Sequence, residues 1–226
     1  MERIVLLDQI PLFASLKQEY LAELASRLTT REYRQGEIIF HKDDPGSILY
    51  VIRAGQVKIT TPSPDGEEVI LAIFTNGDFF GELSLLDEYP RSASAVAMSQ
   101  TEVYTLHRND LLDFVIRHPE LAIDMLAALS RRLRRTDALV EDAVFLDLPA
   151  RLAKQLLELS QNHGVKTEEG IEIDLRLTQQ DLANLVGASR VAVNKQLGLL
   201  QSKGLIRVGR QRITLLKTEA LRQRVY

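Results

Sequence analysis

Between residues 122 and 143 the seam Ala122, Leu126, Leu129, Leu133, Thr136, Val140 and Ala143 repeats in alternating steps of four and three. That spacing is the a/d stripe of a coiled coil, which needs a facing helix to cover it. Pro119 suits a first helical position, so a helix over 119–146 is predicted, a rod of roughly 42 Å at about 1.5 Å per residue. Two copies of the chain should pair along it. One mid-seam position, Thr136, is polar, with Asp137 beside it; a single polar seam residue can fix register and oligomeric state. Arg131, Arg132, Arg134 and Arg135 flank the stripe and read as a solvated face.

The residues before the rod follow a different rule. Leu16, Tyr20, Leu21, Leu24 and Leu28 recur at helical spacing, with Ser15 as a cap, after Pro11-Leu12-Phe13. From Glu32 the period shortens. Strand-like runs cover 37–41, 48–54, 57–61, 67–74, 93–97 and 102–107. Asp44-Pro45-Gly46, Ala54-Gly55, Pro64-Asp65-Gly66 and Asn76-Gly77 separate them. Many short strands with glycine corners read as an antiparallel sandwich or jelly roll.

One stretch interrupts that pattern: Gly81-Glu82-Leu83-Ser84-Leu85-Leu86-Asp87-Glu88-Tyr89-Pro90-Arg91-Ser92-Ala93. Backbone amides near Gly81, a helix starting there and the Arg91 guanidinium can surround one phosphate. An ionised Glu82 only accepts hydrogen bonds, so it suits a sugar hydroxyl. Together these point to a cyclic nucleotide held on a rigid scaffold.

Past the rod, Asp147 and Pro149 start a new helix and Gly164 stops it, with Leu152, Ala153, Leu156, Leu157 and Leu159 as its apolar face. Residues 145–149 form a hinge. Thr178-Gln179-Gln180-Asp181 is a capping-box variant opening a helix over 179–185. Val186-Gly187-Ala188-Ser189 is a turn, and Ser189 caps a second helix over 190–202. Two short helices joined through a glycine turn read as a helix-turn-helix. Val193, Leu197 and Leu200 pack inward, leaving Arg190, Val191, Asn194, Lys195 and Gly198 outward. Arg190 and Lys195 can donate to guanine O6 and N7. Residues 204–215 read as a β-hairpin wing whose Arg207, Arg210 and Arg212 suit phosphates.

Charge agrees. Residues 149–226 hold 13 Lys and Arg against 7 Asp and Glu, a balance of +6, so the rest carries −9 of the chain's −3. A basic tail behind an acidic front fits a polyanion partner. No apolar run approaches the roughly 18 residues of a membrane span, and residues 1–8 are too short for a signal peptide, so a cytoplasmic protein without a membrane partner is expected. With no cysteine, disulfides, thiol chemistry and cysteine-ligated clusters are excluded. His41, His107, His118 and His163 lack metal-ligand spacing, so no metal is expected. A cupin-like jelly-roll enzyme, the remote alternative, needs His and Glu ligands that these do not supply. Neither a Gly-x-Ser-x-Gly elbow nor a Cys–His pair is present, so the chain does not read as an enzyme.

These residues together resemble the cyclic-AMP receptor protein (CRP/FNR) family of bacterial transcription regulators, over essentially the whole length. Arg132-Leu133-Arg134-Arg135-Thr136 and Val186-Gly187-Ala188-Ser189-Arg190 are similar to the runs of cyclic-AMP-responsive members. The resemblance implies an α+β chain in three parts. Residues 1–118 are a jelly-roll nucleotide domain, 119–146 a dimerisation helix, and 147–226 a winged helix-turn-helix. It implies ligand contacts from Gly81, Glu82, Leu83, Ser84, Arg91 and Ser92, with Gly81 and Glu82 on the ribose side and Arg91 and Ser92 at the cyclic phosphate. Thr136 would meet the adenine amino group, and position 137 of a partner subunit the same base. DNA contacts are implied for Thr178, Gln179, Ser189, Arg190, Val191, Asn194, Lys195 and Arg210. Cyclic AMP would be an allosteric effector; a homodimer would bind a palindromic double-stranded operator and meet RNA polymerase. Two positions depart from the family pattern. Asp137 stands where cyclic-AMP binders usually show Ser or Asn, and a carboxylate also suits guanine N1 and N2, so cyclic GMP or a cyclic dinucleotide is an alternative; the same fold with no nucleotide, as in members with a degenerate cassette, is another. Val191-Ala192 replaces the usual Glu-Thr, so preference at the base pair read there should be relaxed or shifted, since valine can only touch a thymine methyl.

Overall fold

The computed structural model describes residues 7–8, 10–13, 15–63, 67–209 and 211–225. The chain packs as two units that divide between Arg134 and Arg135.

The first unit opens with α1 (Gln18–Arg27). Lys17, not Ser15, sits at its N-cap, with no side-chain cap; the Ser15 hydroxyl instead donates to Asp124. Eight strands follow: β1 (Thr29–Tyr33), β2 (Ile38–Phe40), β3 (Ile48–Ala54), β4 (Val57–Pro62), β5 (Glu68–Phe74), β6 (Phe79–Phe80), β7 (Ser94–Ala97) and β8 (Thr101–His107). A short α2 (Leu83–Asp87) interrupts them, and α3 (Arg108–Arg117) leads into α4 (Pro119–Phe145). The six expected strands are present; β1, β6 and α3 are additions. The expected turn at Pro64-Asp65-Gly66 lies outside the described residues. One sheet has the order β1-β8-β3-β6, the other β2-β7-β4-β5, all antiparallel.

β3 and β8 are buried on both faces along their centres, so alternate side chains feed two different core clusters. Tyr50, Ile52 and Val103 face Val57, Phe80 and Ala95 in one core cluster. Leu49, Val51, Tyr104 and Leu106 point the other way, onto a second cluster with Leu21, Leu24, Leu111, Phe114, Leu121 and Met125 from the helices. β6 shares this split, with Phe79 in the helix-side cluster and Phe80 in the other. The chain leaves β6 directly into Gly81, so the interrupting stretch hangs from a strand anchored on both faces.

α4 ends one residue short of the expected 146. Its first turns bury Leu121 and Met125, whereas Leu126, Leu133 and Val140 of the seam are 59%, 63% and 60% exposed. That open stripe is what an unpaired coiled-coil helix presents.

In the second unit α5 (Leu148–His163) starts as expected: the Asp147 side chain accepts from the Ala150 amide at 2.9 Å, with proline in its first turn. Leu152, Ala153, Leu156, Leu157 and Leu159 are all buried. Two short strands, β9 (Gly164–Lys166) and β10 (Ile171–Ile173), form a hairpin absent from the sequence reading. Next come α6 (Gln179–Val186), α7 (Arg190–Ser202), β11 (Ile206–Gly209), β12 (Arg212–Leu215) and α8 (Thr218–Arg222). β10 docks on β12, so the wing belongs to a four-stranded sheet of order β11-β12-β10-β9. Arg151 ties the hinge to the head: its Nη1 donates to the Leu146 carbonyl at 2.8 Å and its Nε to the Val186 carbonyl at 3.2 Å. Lys154 reaches Asp142 at 2.6 Å.

Candidate functional site

Gly81 sits at φ +81°, in the left-handed region that only glycine adopts freely. The helix after it begins two residues later than expected: Glu82 is the N-cap and α2 is five residues long. Between these elements lies Arg91, only 4% exposed. Its Nη1 donates to the Gly81 carbonyl at 2.6 Å and its Nη2 to the Ile48 carbonyl at 2.8 Å. The guanidinium lies 4.3 Å from the Phe40 ring centroid and 5.7 Å from that of Tyr50, a stacking that adds cation–π attraction. A Cβ at Gly46 would come within 2.7 Å of Arg91 Nε and 2.6 Å of Ser84 Cβ. Glycine at 46 is therefore what lets the arginine lie flat here.

Burial holds the Arg91 guanidinium below the ordinary arginine pKa, against the raising influence of Tyr50, Glu82 and Asp44. Its Nε is buried and has no hydrogen-bond partner among the described residues. A desolvated cation with an unsatisfied donor is costly. An anionic oxygen would satisfy both, so the residues present fit a cyclic phosphate.

Glu82 differs from its reading as a waiting acceptor. It is 4% exposed and its Oε1 accepts from Arg132 Nη1 at 2.7 Å. Arg132 also donates to the Phe79 carbonyl and lies 4.4 Å from the ring centroids of Phe74 and Phe79. It belongs to the site's wall rather than to a solvated face, and sequence reasoning missed this. Its sequence signal was its place in the family-like run over 132–136, one turn before Thr136. Ser84 is buried, Leu83 is 44% exposed and Ser92 is exposed. Thr136 and Asp137 lie on exposed positions of α4 in the second unit.

The capping box is formed in full: Thr178 Oγ1 accepts from the Asp181 amide at 3.0 Å and Asp181 Oδ2 from the Thr178 amide at 3.0 Å. Gly187 takes φ +61° and turns the chain into α7, where the Ser189 hydroxyl accepts from the Ala192 amide at 3.2 Å. Val193, Leu197 and Leu200 are buried, which turns Arg190, Val191 and Lys195 to solvent, Val191 80% exposed. Thr178 is exposed and Gln179 half-buried beside them. Asn194 departs from the outward reading: it is half-buried, with Oδ1 enclosed and unpartnered among the described residues. On the wing, Arg207 pairs with Glu169, and Arg212 with Glu172 at 2.6 Å, so each of these arginines is held by a carboxylate. Arg210 lies outside the described residues. Among the described residues no helix is long and apolar enough to cross a membrane, and no group of His, Cys, Asp and Glu is arranged to hold a metal ion.

Residues 30–118 match the cyclic nucleotide-binding domain family and residues 150–224 the Crp-like helix-turn-helix domain family. The chain is 36% identical over 219 residues to the CRP-like cAMP-activated global transcriptional regulator of Mycobacterium tuberculosis, covering 97% of this chain and 98% of that one. It is 37% identical to the cyclic AMP receptor protein of Thermus thermophilus, over 88% of this chain and 89% of that one. Among solved structures it is similar to the c-di-GMP responsive global regulator CLP of Xanthomonas campestris, with a TM-score of 0.78 and 26% identity over 88% and 99% of the two chains. The buried arginine of the sandwich and the capped helix pair of the head thus fall inside the two matched segments, and the chain belongs to the CRP/FNR family of transcription regulators rather than to a family of enzymes.

Proposed function

We propose that this regulator is a cyclic-AMP-controlled homodimer that binds a palindromic operator. The observation that carries the ligand assignment is Arg91: buried, desolvated, with an Nε that finds no partner among the described residues, beside Ser84 and the two glycines Gly46 and Gly81. Cyclic AMP is favoured over other nucleotides by the names of two similar regulators. Arg91 and Ser92 hold the phosphate, and Gly81, Glu82, Leu83 and Ser84 frame the ribose. Thr136 and Asp137 keep the base-reading roles that the resemblance implies. The uncovered stripe on α4 supports pairing of two chains. Ligand that prefers one arrangement of the paired helices biases the dimer toward it, because only differential contacts shift an equilibrium. The heads then present both copies of α7 to successive major grooves, with Thr178, Gln179, Ser189, Arg190, Val191, Asn194, Lys195 and Arg210 at the DNA and RNA polymerase as a further partner. A DNA-bound regulator of this kind works in the cytoplasm.

A specific observation keeps one second reading: Asp137 is exposed, negatively charged and suited to the N1 and N2 donors of guanine, and a similar regulator is named as c-di-GMP responsive. Calorimetric titration with cyclic AMP, cyclic GMP and cyclic di-GMP, followed by anisotropy on a selected operator, separates these. Heat with cyclic AMP and tighter DNA binding in its presence support the proposal. No heat at millimolar cyclic AMP removes it.

A further inference from the structure

The outer face of the wing sheet carries a second electrostatic system. Register puts Glu172 opposite Thr214, and Thr214 opposite Arg207, in one row across three strands. Arg212 is two residues from Thr214 on the same face, a diagonal that long side chains span. Glu172 closes that diagonal onto Arg212 at 2.6 Å, and Glu169, at the β9–β10 turn, pairs with Arg207. Thr214 is buried beneath these pairs. A cleft of about 440 Å³ runs between the hairpins, lined by Glu168, Glu169, Glu172, Arg207 and Arg212.

Arg212 has a second address. It also lines a cleft of about 450 Å³ shared with Thr178, Gln179 and Arg190, the residues at the starts of α6 and α7. The same cation therefore borders the DNA-reading surface on one side and an acidic hairpin on the other. Exposed ion pairs of this kind are individually weak, so a phosphate can displace the carboxylate.

We propose that the β9–β10 hairpin is an intramolecular competitor for DNA phosphate, in which Glu172 and Glu169 hold Arg212 and Arg207 and thereby suppress sequence-independent binding. The physical basis is ion counting. Phosphate contacts supply essentially all non-specific affinity through counterion release. When an arginine leaves a carboxylate for a phosphate, the freed carboxylate takes up a cation and cancels one released ion. Base contacts from α7 are untouched by that exchange, so the device lowers the sequence-independent part of the affinity, which random and operator complexes share.

The inference rests on the head binding DNA, and the experiment separates the two. Full-length protein and the variants E172Q, E169Q/E172Q and E168Q are titrated with random-sequence duplex and with an operator recovered by selection, across a salt series. E168Q removes the same charge from the same cleft without touching either ion pair. Expected is a gain on random duplex of about threefold for E172Q and about tenfold for the double variant, with a salt slope steeper by about 0.9 per carboxylate removed. Operator binding rises by a similar factor, so the operator-to-random ratio holds, and E168Q changes little. Equal binding by parent and double variant overturns the competitor, as does an E168Q effect matching that of E172Q. Weaker binding on removal of the carboxylates also overturns it, because the glutamates would then be orienting the arginines toward DNA. A parent chain that binds neither duplex strikes the DNA reading itself.

Discussion

Arg91 and Arg190 carry the same guanidinium in opposite surroundings. Arg91 is 4% exposed, held by two backbone carbonyls and stacked on Phe40. Arg190 is exposed at the first position of its helix. The first is fixed before any anion arrives, so what it gains on binding comes from geometry and low dielectric. The second is exposed to water, so what it gains comes from counterion release and falls with salt. One chain thus uses arginine twice, once as a built socket and once as a surface charge.

The sharpest way to break that contrast is Arg91→Ala. Cyclic nucleotide affinity should fall by about 2–5 kcal/mol, as when one partner of a buried charge pair is truncated; calorimetry at two salt concentrations reads it. Ligand binding by the parent should depend only weakly on salt, while DNA binding by the same sample falls steeply. Retained affinity in the variant would end the socket description. Arg132→Ala sharpens it from another side. It strips Glu82 of its partner in a nearly dry place and should lower stability by about 1–3 kcal/mol, read as a denaturant midpoint. Lys195→Ala tests the surface charge: about 1–3 kcal/mol at a single base pair, with relaxed discrimination there in binding-site selection. The smallest effect is on pH. Arg117 by hydrogen bonding pulls the Glu23 carboxyl below its ordinary pKa, and Arg27 followed by Arg117 does the same to Asp113. Groups depressed on folding stabilise above their unfolded pKa and lose that contribution as pH falls through the folded value. Acid unfolding below the ordinary carboxylate range should be less steep in Arg117→Gln, followed by circular dichroism.

What the sequence disclosed follows the range of the interactions involved. Caps at Asp147, Thr178 and Ser189 involve neighbours three residues away, and all three form as read. The inward set Val193, Leu197 and Leu200 is a helical period, and it is buried. By contrast, Glu82 and Arg132 are fifty residues apart, and no local pattern distinguishes a wall arginine from its solvated neighbours Arg131 and Arg134. β6 has two residues and β9 and β10 three each, too few to display a period of two. The carboxylates on Arg207 and Arg212 come from the β9–β10 hairpin, one from its turn and one from β10, some forty residues earlier in the chain, so the basic wing looked freer than it is.

The long helix carries one more consequence. Leu121 and Met125 root its first turns in a dry core, whereas Val140, Val144 and Phe145 at its far end are 60%, 69% and 77% exposed. Amide protons along a single helix then exchange at graded rates in a lone chain, slow near Leu121 and fast near Phe145. A second copy lying along the stripe would erase that gradient, so the exchange profile of α4 measured across protein concentrations doubles as a gauge of assembly.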